Sequence, residues 1–293
     1  MKWIWINKEH IAKTACAIVG GIYALLGFIG MLAPLDGILP ESISIWMKIL
    51  VSCLLLAASW LICFAIVAIA LFHKKRFQVF RANGGHALYL QYGDIFDSGE
   101  VLKPEERRNI VIPVNRCFDT IVDNQLISER TVHGAAFKRL YESGEYSEET
   151  LNQAIQNILR GTAYEEVPVR EKPRGNTKRF PVGTVAALPV GEDTCYLLWA
   201  LSTFDSNLKA HTSMQEYTLA LQKLVEACNA ESEGFPVVIP LVGTGLSRTK
   251  KDQHDILSYL VSIFKVNRAE INSNIHIVVR EDLKDEISIM SRP

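Results

Sequence analysis

The chain has 293 residues, 48% of them hydrophobic, with 31 lysines and arginines against 32 aspartates and glutamates. Its net charge of −1 supplies no concentrated basic face, which excludes nucleic acid as a main partner. Cys16, Cys53, Cys63, Cys117, Cys195 and Cys228 are scattered without CxxC spacing, a pattern of reduced thiols that excludes a zinc site.

Residues 1–13 read as a cytoplasmic N-terminus before TACAIVGGIYALLGFIGMLA, residues 14–33. That run is uncharged and long enough to cross a hydrocarbon core of roughly 30 Å as a helix. A loop over 34–48 leads to a second uncharged run, ILVSCLLLAASWLICFAIVAIALF at 49–72, which is the stronger span. Lys13 and Lys48 stand where long side chains can snorkel to headgroups, and Trp3, Trp5 and Trp46 where an interfacial aromatic belt would lie. Lys2, Lys8 and Lys13 precede the first span, Lys74, Lys75, Arg76 and Arg81 follow the second, and the loop between carries Asp36 and Glu41. Because basic residues are retained inside, both termini are expected in the cytoplasm, with the chain a multi-pass protein of the inner (plasma) membrane. A cleaved leader ending at Ala33 is the alternative reading of the first run, against which stand its length and the bulk of Met31. Ala17, Gly20, Gly21, Ala24 and Gly27 line one smooth helix face, which suits close packing and homo-oligomers.

Residues 73–85 read as a basic linker ending in the Asn83-Gly84-Gly85 turn, 86–285 as the globular domain and 286–293 as a tail. Apolar runs at 87–92, 109–114, 184–188, 195–201, 235–241 and 275–279 read as strands, several nearly continuous, as strands covered on both faces should be. Helices are expected over 148–160, from the capping box at Ser213 and Glu216 to about 230, and from Thr249 and Asp252 to about 266. Alternation of strands and helices predicts an α/β fold: a mixed sheet sandwiched by helices, behind two transmembrane helices. The polar stretch between Gly161 and Pro181, with Arg170, Lys172, Arg174, Lys178 and Arg179, reads as a solvated loop, with anionic lipid or ligand as the alternative occupant.

Three loops follow strand ends, where ligands collect in an open α/β sheet. Gly93-Asp94-Ile95-Phe96 allows a tight turn with a carboxylate that can accept from an exocyclic amine; a plain turn is the alternative. Asn115, at the end of VIPVN, can bridge sugar hydroxyls or satisfy its own turn. Gly243-Thr244-Gly245-Leu246-Ser247-Arg248, between a strand and a capped helix, can offer backbone amides to a diphosphate. It lacks the lysine of a Walker loop.

The order and spacing of these loops resemble a macro domain, the fold that binds ADP-ribose, over about residues 86–285. By that resemblance Asp94, with Ile95, holds adenine, and Asn115 stands at the family's Val-Asn. The late phosphate loop is Gly243, Thr244, Gly245, Leu246, Ser247 and Arg248, while Thr131, Val132, His133 and Gly134 face the diphosphate as a helix over 135–141 begins. The family's Asn-Ala-Ala-Asn reads Asn115-Arg116-Cys117-Phe118, and its glycine-rich catalytic loop is replaced by Asp123-Asn124-Gln125-Leu126-Ile127-Ser128. These departures leave recognition intact and hydrolysis unsupported. Phe118 would wall the distal pocket or lie in the core; His133 would touch the ligand's far end or merely cap its loop.

A macro domain behind two spans, with GDIF, VIPVN, TVHG and PLVGTGLSR, resembles the family of membrane effectors of the type II Thoeris antiphage system. The resemblance implies a sensor without catalytic residues, metal or resident cofactor. Its ligand would be an ADP-ribose conjugate, with histidine attached, made by a partner TIR-domain synthase, and its response an oligomer acting on membrane lipid. The rivals are a membrane-tethered ADP-ribosyl hydrolase and a scaffold for ADP-ribosylated proteins.

Overall fold

The computed structural model describes residues 2–32, 44–82, 84–242 and 253–290. They form two compact units that meet in sequence between Lys75 and Arg76. The first is a helical hairpin of α1 (Lys2–Leu32) and α2 (Ile45–Phe72). Mean hydropathies of 1.9 for Lys2–Met31 and 2.7 for Ile45–Phe72 make both helices apolar enough to cross a membrane. At about 1.5 Å per residue, both are also longer than a core of roughly 30 Å requires. α1 starts before the expected span because no Pro or Gly interrupts residues 2–13. α2 starts early because Ser44 accepts a hydrogen bond from Met47 N and caps it. Antiparallel pairing is marked by Trp3 against Phe72, ring edge to face at 5.3 Å, and by the Trp60 indole N–H donating to Cys16 Sγ at 3.1 Å. Leu54, Leu55, Leu61, Ile62, Ile66 and Ile69 point outward, a liability in water and the natural surface for acyl chains. Around Gly20, Gly21 and Gly27 the space is open, so the small-residue face of α1 is not spent on α2.

The second unit begins with a correction. Residues 76–81, expected within a linker, are a strand, β1 (Arg76–Arg81), paired antiparallel on β2 (Ala87–Gly93). Its arginines and phenylalanines suit an edge strand, whose open side is protected by charge. After β2 come β3 (Arg108–Asn115), α3 (Val132–Glu142) and α4 (Glu148–Ile158). The short strands β4 (Glu165–Glu166) and β5 (Lys178–Arg179) precede β6 (Val185–Val190), β7 (Thr194–Phe204) and β8 (Ala210–His211). Then follow α5 (Met214–Glu231), β9 (Val237–Pro240), α6 (Gln253–Val266) and β10 (Ile275–Arg280).

The sheet runs β1-β2-β10-β9-β3-β7-β6, with β8 beside β7. β2, β10, β9, β3 and β7 are parallel, and β1 and β6 are antiparallel margins. Alternation along β7 assigns its two faces: Tyr196, Leu198 and Ala200 join Phe137, Leu140, Leu151 and Ile155 of α3 and α4 in one core. On the other face the Trp199 indole donates to Ala220 O of α5 at 3.0 Å. This is the expected mixed sheet between helices, and five of the six expected strands lie within two residues of their boundaries; β7 runs three residues further than expected, to Phe204. The tail is a second correction: Ile287, Ile289 and Met290 are buried, and the Tyr92 hydroxyl donates to Ile287 O at 2.5 Å while accepting from Ile289 N at 3.3 Å.

Candidate functional site

β3 and β9 are neighbours whose onward connections leave in opposite directions, β3 through α3 and α4 toward β6 and β7, β9 through α6 to β10. Such a switch point opens a crevice outside the carboxyl ends of the strands. Here the ladder itself is short. β3 and β9 pair only at Asn109 with Val237 and Ile110 with Val238, although β3 runs on to Asn115 and β9 to Pro240. β10 meanwhile follows β9 to its end, Val278 opposite Pro240. The hydrogen-bonded register between these two strands therefore ends short of Asn115 and Pro240, and Pro240 has no N–H with which to extend it.

Asp94 stands just beyond β2, its side chain 61% exposed. Oδ1 accepts from Phe96 N at 3.0 Å, and Asp97 N donates to Asp94 O at 3.0 Å, so the turn is closed by its own atoms. Oδ2 is 3.9 Å from Arg139 of α3, whose guanidinium lies 4.4 Å from the Phe96 ring centre. The carboxylate is held and presented together. Ile95 instead is buried, its side chain part of the core. Gly93 is required for a reason sequence reading missed: a Cβ there would lie 2.0 Å from the carboxylate of buried Glu100.

At the head of α3 the Thr131 hydroxyl accepts from Gly134 N at 2.9 Å, and Thr131 N donates to Ser128 O at 3.0 Å. Two of the four amides expected at a diphosphate are thereby spent on the cap; Val132 and His133 carry the first-turn N–H groups without an intrahelical partner. Gly134 is fixed by sterics, since a Cβ would stand 2.2 Å from Ser128 O. The side-chain expectation for His133 is corrected. Its ring is buried, with Nε2 3.1 Å from Asp119 O and its face edge-on to Phe137 at 4.5 Å, and burial pulls its pKa down to about 3. Of the two readings of Phe118 the structure takes the core one: at φ +50° the backbone turns the ring wholly into the interior, edge-on to Phe180 at 5.5 Å.

Asn115 is buried at the end of β3, where its Oδ1 accepts from Cys117 N at 3.0 Å. Among the described residues its Nδ2 has no hydrogen bond of ordinary geometry, and its side chain acts on the Asp119 carboxyl. The side chain borders a cavity of about 10 Å³, room for one water, lined also by Cys117, Lys172, Arg179 and Ser202. Gly243, Thr244, Gly245, Leu246, Ser247 and Arg248 lie outside the described residues. The chain approaches them through Leu241, whose N donates to Val278 O at 3.0 Å, and Val242, whose carbonyl accepts from the Tyr217 hydroxyl at 3.0 Å.

The polar stretch is largely exposed, as expected, with Arg170 and Arg174 at the surface, but Lys172 departs from that expectation and is tied into the interior. Lys172 is 3% exposed, and its ammonium reaches Asp119 Oδ1 at 3.0 Å, Arg174 O at 2.6 Å and Asn176 O at 2.8 Å. Asn176 N donates to Asp119 Oδ1 at 2.6 Å, and Gly175 at φ +81° makes room, a Cβ there falling 2.1 Å from that oxygen. Burial pushes the Asp119 carboxyl upward, while Lys172 and the Asn176 amide oppose the shift. The signal in the sequence was Asp119 itself, a lone charge among Cys117, Phe118, Thr120, Ile121 and Val122, which a buried strand end tolerates only with a partner.

A mixed sheet of five parallel strands with antiparallel margins, covered by helices and with a switch point between β3 and β9, is a fold of macro type. A family model described as "Thoeris protein ThsA, Macro domain" matches residues 88–280, and the chain belongs to that family. It is 27% identical over 190 residues to the Thoeris protein ThsA of Bacillus amyloliquefaciens (strain Y2). That match covers 64% of this chain and 59% of that protein, so the chain spans little more than half of the relative's length. Two solved mutant macrodomains of Oceanobacillus iheyensis are similar at 14% identity. One has a TM-score of 0.44 over 72% of this chain and 92% of its own, the other 0.45 over 73% and 89%.

Proposed function

We propose that the chain is a membrane-anchored sensor and effector of antiphage defence. Its macro domain binds an ADP-ribose-derived signal, histidine-ADP-ribose made by a partner TIR protein, and performs no chemistry of its own. The observation that carries this reading is an exposed, positioned Asp94 and the capped N-terminus of α3, both following the carboxyl ends of parallel strands next to the β3–β9 switch point. A purine amine can donate to that carboxylate, and the Val132 and His133 amides, with the positive end of α3, suit a phosphate. α1 and α2 anchor the domain in the inner membrane with both termini and the domain cytoplasmic, as the basic flanks direct. Bound signal favours an assembled state over the resting one, through the open small-residue face of α1, and that homo-oligomer disrupts the lipid. A ligand with equal affinity for both states would shift nothing.

The test uses the full chain in lipid nanodiscs and in dye-loaded vesicles of bacterial lipid. Calorimetry is expected to show ADP-ribose binding and tighter binding of its histidine conjugate, with dye release on conjugate alone. Absence of heat with either nucleotide would overturn the reading.

A further inference from the structure

Arg76 is the first residue of β1 and stands four positions after Phe72, the last residue of α2. Its Nε donates to Gln91 Oε1 at 2.6 Å, and its Nη2 reaches the carbonyls of Gly99 at 3.2 Å, Glu100 at 2.8 Å and Val101 at 3.3 Å. The guanidinium is half-buried and lies 5.9 Å from the Tyr89 ring centre. The three carbonyls end the segment that begins with Asp94. That segment is internally bonded: Asp97 N to Asp94 O at 3.0 Å, Gly99 N to Asp97 Oδ1 at 2.9 Å and Glu100 N to Asp97 O at 3.2 Å.

Glu100 closes the chain of contacts from its other side. Its backbone carbonyl accepts from Gln91 Nε2 at 2.8 Å, and its buried carboxylate, also bonded to Gln91, occupies the volume over Gly93 that a Cβ would take. Gln91 in turn is 3.0 Å from His276 Nδ1 of β10. A shift of the Asp94 turn therefore moves the acceptors that hold Arg76, and Arg76 cannot leave without giving up its bonds to the carbonyls of Gly99, Glu100 and Val101. β1 is the part free to respond: it is an edge strand with one neighbour, and its register breaks between Gln78 and Phe80.

We propose that Arg76 is the residue through which occupancy of the Asp94 turn is transmitted to the strand that leads out of the second membrane helix. Ligand on Asp94 orders residues 94–101, the ordered carbonyls grip the guanidinium, and β1 is held more firmly to β2. The proposal rests on the functional reading above.

Hydrogen exchange of the full chain in nanodiscs, with and without saturating ADP-ribose, tests it. In the unmutated chain ADP-ribose is expected to slow exchange across residues 76–81 by about tenfold, the equivalent of one decade in a local opening constant. Arg76→Lys keeps the charge but loses the planar fork. It is expected to bind ADP-ribose with a Kd within about threefold of the parent while the slowing across 76–81 disappears. Unchanged exchange in the ligand-saturated parent overturns the proposal without recourse to any variant, and so does full slowing in Arg76→Lys. If the parent binds no ADP-ribose, the functional reading fails and takes the proposal with it.

Discussion

Asp94 and Asp119 both follow the carboxyl end of a parallel strand in one sheet, and they have opposite fates. Asp119 is wholly buried, with Lys172 and the Asn176 amide supplied by its own chain. Asp94 is mostly exposed, with one oxygen committed to its turn and the other 3.9 Å from Arg139. A carboxylate whose partners are all internal holds a loop in place, whereas one fixed by a single bond and left facing solvent is set up for a visitor. Residue type is the same, and Asp94 stands one residue and Asp119 four residues beyond a strand's end; the number of internal partners separates floor from rim.

The largest effect expected from breaking this comparison is at the floor. Lys172→Ala leaves the Asp119 carboxylate buried and uncompensated, a loss of about 4 kcal/mol that urea unfolding of the chain from residue 73 onward would register. A loss below about 1 kcal/mol would mean the pair is dispensable and the contrast with Asp94 false.

Acid should strike the same interior. His133 and His276 have pKa values lowered to about 3 by burial, against 6.5 for an ordinary histidine. The unfolded chain therefore binds more protons between these limits. Stability is fully present above about pH 6.5 and falls as pH drops toward 3, by on the order of 2 kcal/mol per histidine at pH 5. Urea midpoints at pH 7.5, 6 and 5 would show the slope, and His276→Gln should remove about half of it.

How much of this was readable beforehand follows from which forces act locally. The spans and the strands β2, β3, β6, β7, β9 and β10 are continuous apolar runs, so transfer from water alone marks them. β1 escaped because Arg76, Gln78 and Arg81 alternate with Phe77 and Phe80 inside a basic stretch, and only pairing with β2 makes that pattern a strand. Lys172 escaped because a lysine between polar neighbours looks solvated until Asp119 is brought to it across the fold. The turn at Asp94 and the end of β3 at Asn115 could be placed from chain order, yet the directions of Phe118 and His133 could not: a φ of +50° and a ring bond to Asp119 O decide them.

Between floor and rim lies Gly93, whose missing Cβ gives Glu100 its space. Gly93→Ala forces that buried carboxylate to retreat, a strain of about 1–3 kcal/mol in thermal or urea unfolding. Glu100→Asp shortens the intruding side chain, so the double variant should recover part of the loss, a coupling of at least about 0.5 kcal/mol. Strict additivity would show that the contact is not what keeps residue 93 small.

The smallest effect on stability belongs to Asp94→Ala, and it is the most informative. The side chain is exposed and its one close bond is to its own turn, so unfolding free energy should change by no more than about 0.5 kcal/mol. Binding should suffer instead. A hydrogen bond to a charged acceptor contributes about 1.5–3 kcal/mol, so the affinity for ADP-ribose should fall roughly tenfold to a hundredfold in calorimetry. The pairing of a silent fold with a lost ligand is the signature of a rim carboxylate. The reverse, a destabilised fold with unchanged affinity, would make Asp94 a second Asp119 and move the purine elsewhere along the crevice.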